Sequence, residues 1–456
     1  MRTLVLLAFA LAPAALAQGL RAGAAEVVIT PPTGTPMAGY YATRLSAGVH
    51  DDLHAKAIVL ASGADRVAFV ACDLVGIPPA VIEEARAIIQ TATGIPAANV
   101  MISATHSHTG PLIPDGGARA ASYGGELEIA KRYRAELPRK IADSVRLANQ
   151  QLAPARAAFG KGQEGGVSFN RRYFMTDKTV GWNPGKLNPK IERPAGPIDP
   201  DLPVVLFESA AGAPIATYVN FAMHQDTVGG LEISADYAYT ISQILGRVKG
   251  GGMVTLFTQG AAGNINHIDV SSETKQQGHA EAVRIGTILA GEAIKTYARL
   301  TPADGALRVA RRTVELDAAV LAPGDEERAR EFKKQLDAGA PVKFLDTVFA
   351  FKALDTAARA GKPLDAEVQA FALGSQIAWV ALPGEIFTEL GGAIKRASPF
   401  PLTIVVELAH GPVTYFPDSD AFPQGNYEVV TSRAARGSGE KLTQAANELL
   451  RELHGK

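Results

Sequence analysis

Strand-like and helix-like stretches alternate along this chain, and that alternation is the strongest constraint on its fold. Lys56–Ala61 and Arg66–Ala71 are short apolar runs on either side of a Ser62-Gly63-Ala64-Asp65 turn, the pattern of two hairpin strands. After Pro78-Pro79, the segment AVIEEARAIIQTATG carries apolar residues at helical spacing, with proline ahead of its start and Gly94 after its end. Asn99–Ala104 returns to a strand. A helix offers one apolar stripe and a strand needs cover on its faces, so the succession strand, helix, strand predicts a layered α/β domain.

The same grammar continues to the C-terminus. A helix is expected over about Leu127–Asn149, kinked at Pro138. Phe174–Pro203 is rich in Pro, Gly and Asn and predicts a long loop on the substrate side. Leu202–Phe207 and Pro214–Phe221 read as a hairpin around ESAAGA, ADYAYTISQILGRV as the next helix, and Gly252–Thr258 as a strand running into QGAAGNINH. Then come a helix near Pro323–Ala338 and a hairpin of Val368–Leu373 and Ile377–Leu382 around Gly374-Ser375. PGEIFTELGGAIKRA turns into a helix, Leu402–Leu408 is a strand, and Leu442, Ala446, Leu449 and Leu453 mark a closing amphipathic helix. No internal repeat or low-complexity segment interrupts the pattern. The expectation is an α/β fold of layered sheets flanked by helices, one large domain over residues 18–456.

Cys72 is the only cysteine, so no internal disulfide can form. At 456 residues the chain is long enough to rely on a buried core instead. Forty-five basic residues against 46 acidic ones give a net charge of −1, which excludes the basic footprint of a nucleic-acid binder. The N-terminus, MRTLVLLAFALAPAALAQ, has Arg2, an apolar middle and Ala15-Leu16-Ala17 before Gln18, the layout of a secretory signal peptide over residues 1–17. That run is too short for a comfortable membrane span. A secreted or periplasmic protein without stable membrane insertion is expected.

His106, His224, Asn264, Glu385 and Tyr415 each come just after an expected strand. In α/β sheets, ligands bind beyond the carboxyl ends of strands, so residues far apart in sequence can meet there. In MISATHSHTGP, an extended His106-Ser107-His108 would point both imidazoles to one side. Neutral imidazole suits zinc, copper, iron or nickel, although such a pair also occurs in ordinary loops. NFAMHQDTVGG adds His224, with Asn220 and Asp226 close by, and LPGEIF puts Glu385 on a Pro-Gly turn. Glu385 could equally be a helix-start glutamate favoured by the helix dipole. Three protein ligands with one open position is the pattern of a catalytic metal site, whereas a structural zinc site would show closely spaced cysteines.

Seven stretches, in this order, resemble the neutral ceramidases and their bacterial relatives. They are GVHDDLHAKAIVL (Gly48–Leu60), ISATHSHTGP (Ile102–Pro111), FNRR (Phe169–Arg172), NFAMH (Asn220–His224), ISADY (Ile233–Tyr237), FTQGAAGNIN (Phe257–Asn266) and LPGEIF (Leu382–Phe387). The resemblance covers about residues 20–435. It implies a ceramidase-like catalytic domain and a zinc amidase that cleaves the N-acyl bond of ceramide. It further implies that His106, His224, Glu385 and Tyr415 hold Zn2+, that Tyr427 lies near the reacting carbonyl, and that His108 and Arg171 face the substrate. Two features depart from the family. Asn266 stands where a serine is proposed as nucleophile or hydrogen-bonding group, and the chain ends at Lys456, where ceramidases continue into a C-terminal β-sandwich domain.

Asparagine has no hydroxyl to accept an acyl group, so a mechanism that relies on activated water is the one left open. The metal with Tyr427 or Arg171 would stabilise the oxyanion, His108 would pass a proton to the leaving amine, and Asn266 would hydrogen-bond substrate or water. Asp236 could orient His224 or His106 through the second ring nitrogen, or could cap a helix. Tyr41, Asp73 and His50 could border the cavity. The expected partner is a small-molecule or lipid N-acyl substrate. A hydrolase of another acyl ester or amide, and a non-catalytic periplasmic metal- or ligand-binding protein, are the alternatives.

Overall fold

Successive residues of a strand face opposite ways, and in several strands of this chain both faces are apolar. In Asp65–Cys72, Val67, Phe69 and Ala71 enter one core while Ala68, Val70 and Cys72 enter another. In Ile377–Ala381, Ile377, Trp379 and Ala381 join that first core, and Ala378 and Val380 face a third. Strands covered on both sides belong in the middle of a layered structure. The computed structural model, which describes residues 19–250, 252–411 and 414–455, shows that arrangement. The expected signal peptide at residues 1–17 lies outside the described residues.

A nine-stranded sheet runs in the order Val254–Gln259, Pro214–Phe221, Asp201–Ser209, Ala153–Gln163, Arg21–Val28, His54–Ser62, Asp65–Cys72 and Val100–Ala104, with Thr301–Ala303 paired on Ala153–Gln163. A four-stranded sheet runs Leu307–Leu316, Leu364–Leu373, Ile377–Ala381 and Leu402–Val406. Their inner faces meet in a core that includes Phe69, Tyr218, Phe371 and Trp379, with the Phe69 and Trp379 rings 4.9 Å apart. The helices Pro79–Thr93, Glu128–Gln150, Asp236–Lys249 and His279–Tyr297 cover the outer face of the large sheet. Thr388–Ala397 and Ser438–His454 cover the small one. The result is four layers, helix on sheet on sheet on helix. Among the described residues no helix is long and apolar enough to cross a membrane.

Within the two large sheets, three strand pairs are parallel: Asp65–Cys72 with Val100–Ala104, Pro214–Phe221 with Val254–Gln259, and Ile377–Ala381 with Leu402–Val406. The loops leaving their carboxyl ends are sewn together, Gly260 N–H to Phe221 O, Gly263 N–H to Ile386 O, and Leu408 N–H to Gly384 O. This brings residues 104–108, 222–226, 260–266, 382–386, 407–411 and 414–415 to one end of the sandwich.

One expectation is corrected. Phe174–Pro203 is not a bare loop, because Arg172–Met175, Val180–Trp182 and Ile191–Pro194 form a small three-stranded sheet within it. The helix expected over about Leu127–Asn149 is present as Glu128–Gln150, with Pro138 inside it. The strand Arg21–Val28 escaped notice because RAGAAEVV has mostly small side chains. The cause is close packing, since a Cβ at Gly23 would lie 2.2 Å from the Ala148 carbonyl oxygen of the neighbouring helix.

One buried ion pair ties the two sheets together. Arg86, on the helix Pro79–Thr93, donates through Nε and Nη2 to the Val100 carbonyl and through Nη1 and Nη2 to Glu367 of the small sheet at 3.1 and 2.8 Å. Its side chain is 2% exposed and that of Glu367 15%. Removing one partner of such a pair strands a buried charge, at a cost of about 3–5 kcal/mol. Glu367→Ala is therefore expected to lower unfolding stability by about 3 kcal/mol, whereas the double change Arg86→Met, Glu367→Leu recovers most of it. Denaturant unfolding checks this, and equal losses in the single and double variants would overturn it.

Candidate metal centre

The turn after Val100–Ala104 aims His106 inward. His106 N–H bonds Leu74 O, and Asp73 holds the approach by accepting from His54 N–H at 2.9 Å and Thr105 O–H at 3.3 Å. His106 takes a left-handed backbone, φ 74°, which is costly for a side chain with a Cβ. The two histidines of the H-x-H segment therefore meet through a turn, not through the pleat of an extended strand. Their rings are nevertheless 4.7 Å apart and nearly perpendicular, with the Nε2 atoms 3.2 Å from each other.

His224 follows the strand Pro214–Phe221 and brings its ring to 4.5 Å from that of His106. Each imidazole is anchored from behind by a backbone carbonyl, His106 Nδ1 on Val75 O at 2.6 Å and His224 Nδ1 on Ala262 O at 3.0 Å. Asp236 orients neither, so of its two sequence readings the one at the helix start holds. Its carboxylate accepts from Thr227, Val228 and Tyr237 N–H and so fastens the loop after His224 to the start of the helix Asp236–Lys249. A neutral ring with its Nδ1 proton on a carbonyl presents a bare lone pair at Nε2.

Glu385 begins a two-residue parallel bridge in which it pairs with Tyr415. Its Oε2 lies 3.3 Å from His106 Nε2 and 3.0 Å from His224 Nε2, and the Tyr415 hydroxyl lies 3.3 Å from His224 Nε2. Glu385 Oε2 is buried and receives no aligned hydrogen bond. Burial by itself raises the Glu385 carboxyl, but His106 and His224 outweigh it and hold the group well below the usual carboxylate range. Burial, then Arg171 and His106, push His224 down to about 3. Two imidazole lone pairs, an anionic oxygen and a phenol thus converge on one buried point, a donor set that fits a divalent metal. His106, His108 and His224 also place one ring nitrogen each within 4.8 Å of one another, so His108 stands at the edge of the same set.

His108 is held well below its ordinary value by burial and by the neighbouring His106 and His224. Its Nδ1 lies 3.7 Å from Asp226 Oδ1, the same oxygen that accepts from the Tyr40 hydroxyl. Arg171 is buried and fully occupied. Its Nε donates to Glu428 at 2.8 Å, Nη1 reaches His224 Nε2 at 3.1 Å, and Nη2 donates to Gly263 O at 2.7 Å and to the Tyr415 hydroxyl at 3.1 Å. The Tyr427 ring lies 5.5 Å from Tyr415 and 4.6 Å from Trp182. Asn266 donates to Asn183 at 3.0 Å and accepts from Ile268 N–H. Tyr41 packs on Phe344 and Tyr123. His50 stacks on His279 with centroids 3.6 Å apart and bonds Asp51, a separate cluster whose described contacts include no residue of the centre.

Sequence reasoning missed two acids. Glu428 is fully buried and clamps both Arg171 and Arg172, at 2.8 and 2.9 Å. Glu407 accepts N–H groups from Ala262 and Ile386, and burial, together with the charge of Glu385, raises it well above the usual range. A glutamate at position 407 inside the apolar strand run LTIVVELA was the available signal, since a carboxylate in a buried strand needs a reason.

Residues 21–236 match the family described as neutral/alkaline non-lysosomal ceramidase, N-terminal. No curated protein matches by sequence. Among solved structures, neutral ceramidase from Pseudomonas aeruginosa is similar over 96% of this chain and 75% of its own, at 20% identity and a TM-score of 0.77. A ceramidase described as complexed with C2 is similar over 96% of this chain and 76% of its own, at 20% identity and a TM-score of 0.75. At that identity the structures speak for a common fold, and the family match speaks for descent: residues 21–236 belong to the neutral/alkaline non-lysosomal ceramidase family, and the chain as a whole has the fold of a ceramidase-type hydrolase.

Proposed function

We propose that this chain is an exported, zinc-dependent amidohydrolase that cleaves the amide of ceramide or of another N-acyl compound with activated water. The observation that carries the proposal is the buried convergence of His106, His224, Glu385 and Tyr415, in which Glu385 Oε2 receives no aligned hydrogen bond from the two imidazoles beside it. Zinc held by these four groups would supply Lewis-acid polarisation of the acyl oxygen and bring the pKa of water to about 7.

The protein's own groups divide the remaining work. His108 is kept unprotonated by burial and its histidine neighbours, so it can take a proton from water and return it to the leaving amine, steadied by Asp226. Tyr427 is the available donor to the oxyanion. Arg171 Nε and Nη2 are engaged by Glu428, Gly263 and Tyr415, and Nη1 faces the His224 nitrogen that would hold the metal, so Arg171 acts by placing Tyr415 and by lending its charge. Trp182, Phe344 and Tyr427 stack at 4.6 to 5.6 Å and offer an apolar wall for an acyl chain. Asn266 fixes that wall through Asn183, the residue after Trp182.

Three outcomes are expected. His106→Ala and His224→Ala each lose most of the zinc that the wild-type protein retains, measured by elemental analysis after gel filtration; full occupancy in both would remove the site assignment. Tyr427→Phe lowers kcat on an N-acyl amide by about 100-fold with little change in KM, the loss typical of one oxyanion donor. An unchanged kcat would take Tyr427 out of the reaction. Export predicts that the chain expressed with its own N-terminus in a Gram-negative host matures to a form beginning at Gln18, read by N-terminal sequencing; a retained Met1 would count against it.

A further inference from the structure

A cavity of about 130 Å3 borders the metal centre on its His108 side. Val75, in its wall, is the residue whose carbonyl anchors His106, and Tyr40, also in the wall, packs edge-on against His108 with centroids 5.6 Å apart. Arg119 lines the same cavity. Its guanidinium lies over the Tyr41 ring with Cζ 4.4 Å from the centroid. Stacking on an aromatic face occupies the flat side of a guanidinium and leaves its N–H edges free. Among the described residues no carboxylate comes within ion-pair distance of Arg119, and it donates no hydrogen bond.

The other charges of the cavity are accounted for. Arg433 and Asp355 pair with each other, Nε to Oδ2 at 3.2 Å, and Asp355 also accepts from Ala118 N–H at 3.1 Å. Asp115 is exposed at the mouth and accepts from Gly117 N–H at 2.8 Å. Arg119 is therefore an unmatched cation facing a small cavity. Its charge acts on Tyr427, Tyr415 and Glu385, which puts it within electrostatic reach of the reacting centre.

We propose that Arg119 receives a carboxylate on the amine half of the substrate, so that the preferred substrates are N-acyl amino acids and not neutral N-acyl amines. The inference rests on the hydrolase reading above, in which His108 protonates the leaving amine and the amine half thus lies on the His108 side. A planar carboxylate matches the edge of a guanidinium in bidentate fashion. One unmatched cation suits a monoanion better than a dianion such as a phosphate. The size agrees as well, since pockets for drug-sized ligands run to roughly 300–1,000 Å3 and this one has room for a compact head group only.

The test compares hexanoylglycine with N-hexanoylethanolamine, which differ in a carboxylate against a hydroxymethyl group. Wild-type kcat/KM is expected to favour hexanoylglycine, and Arg119→Met is expected to shrink that preference by about 10- to 100-fold, the worth of a charge-assisted hydrogen bond, with Arg119→Lys in between. A wild-type preference for the neutral amide, or the same preference in Arg119→Met, overturns the proposal. A second arm reads binding without turnover. Hexanoylglycine is titrated calorimetrically into His108→Ala protein with and without Arg119→Met, and a Kd at least about 10-fold weaker in the double variant is expected. Binding of hexanoylglycine that depends on Arg119, with no turnover of either amide by the wild type, would reject the hydrolase reading and keep the anion site. Absent binding, or binding indifferent to Arg119, would reject the anion site.

Discussion

The buried negative charge of Glu385 is the feature around which the rest of the centre is arranged. A carboxylate removed from water is tolerated only beside compensating charge or aligned donors. Arg171 supplies a fixed positive charge that acts on Glu385, while its donors go to Glu428, Gly263 and Tyr415. Glu428 neutralises Arg171 and Arg172 from behind. Burial keeps Glu407, the other acid near Glu385, well above the usual carboxylate range, so it adds no second anion. The protein thus comes close to balancing its own buried charges before any cation is counted. A divalent ion would leave a local excess of positive charge, which favours the ionisation of water and an oxyanion.

The backbone bears the cost of that arrangement. His106, Leu408 and His410 all have left-handed φ, at 74°, 57° and 59°, and all belong to the two segments that bridge at Ser103 and Ala409. Each non-glycine residue in that region costs about 1–2 kcal/mol. The conformations persist because the loops are cross-tied, Ala104 N–H to Leu408 O, Leu408 N–H to Gly384 O and Ala409 N–H to Leu382 O. The same ties carry Glu385 to His106. Strain at one loop is therefore offset by bonds to the loop that bears the opposing ligand, and neither segment can relax without opening the centre.

The sequence made the sandwich partly legible and the site more so. Short apolar runs next to turn residues, such as Asp65–Cys72 and Ile377–Ala381, were readable, as was the helix Pro79–Thr93 with its left-handed Gly94 cap. The helix Phe344–Ala358 was not. Its run FLDTVFAFKALDTAA is apolar nearly all round, because one side packs on Ala329 and Phe332 of the preceding helix and another faces Tyr41 and Tyr123. The small sheet within residues 172–194 was hidden by its Pro, Gly and Asn content, although its strands are real. Side chains after strands could be nominated because strand ends converge whatever the loops do. What the nomination could not contain was the anchoring of His106 and His224, since carbonyl partners such as Val75 O and Ala262 O leave no mark in residue identity.

Asn266 shows how one position can change its work while the surrounding constellation stays intact. Its carbonyl is taken by Ile268 N–H and its amide by Asn183, so both ends of the side chain are committed to the loop that carries Trp182. Trp182 in turn packs against Tyr427 and Phe344. A serine there would be too short to reach Asn183 in the same way and would free the Trp182 loop. The exchange of a hydroxyl for an amide thus trades a group able to attack or bond the acyl carbon for one that stiffens the wall beside it. In the proposed reading it leaves His108, with Asp226 3.7 Å away, as the proton-transfer group, and leaves the choice of substrate to the shape of that wall and to the charge of Arg119.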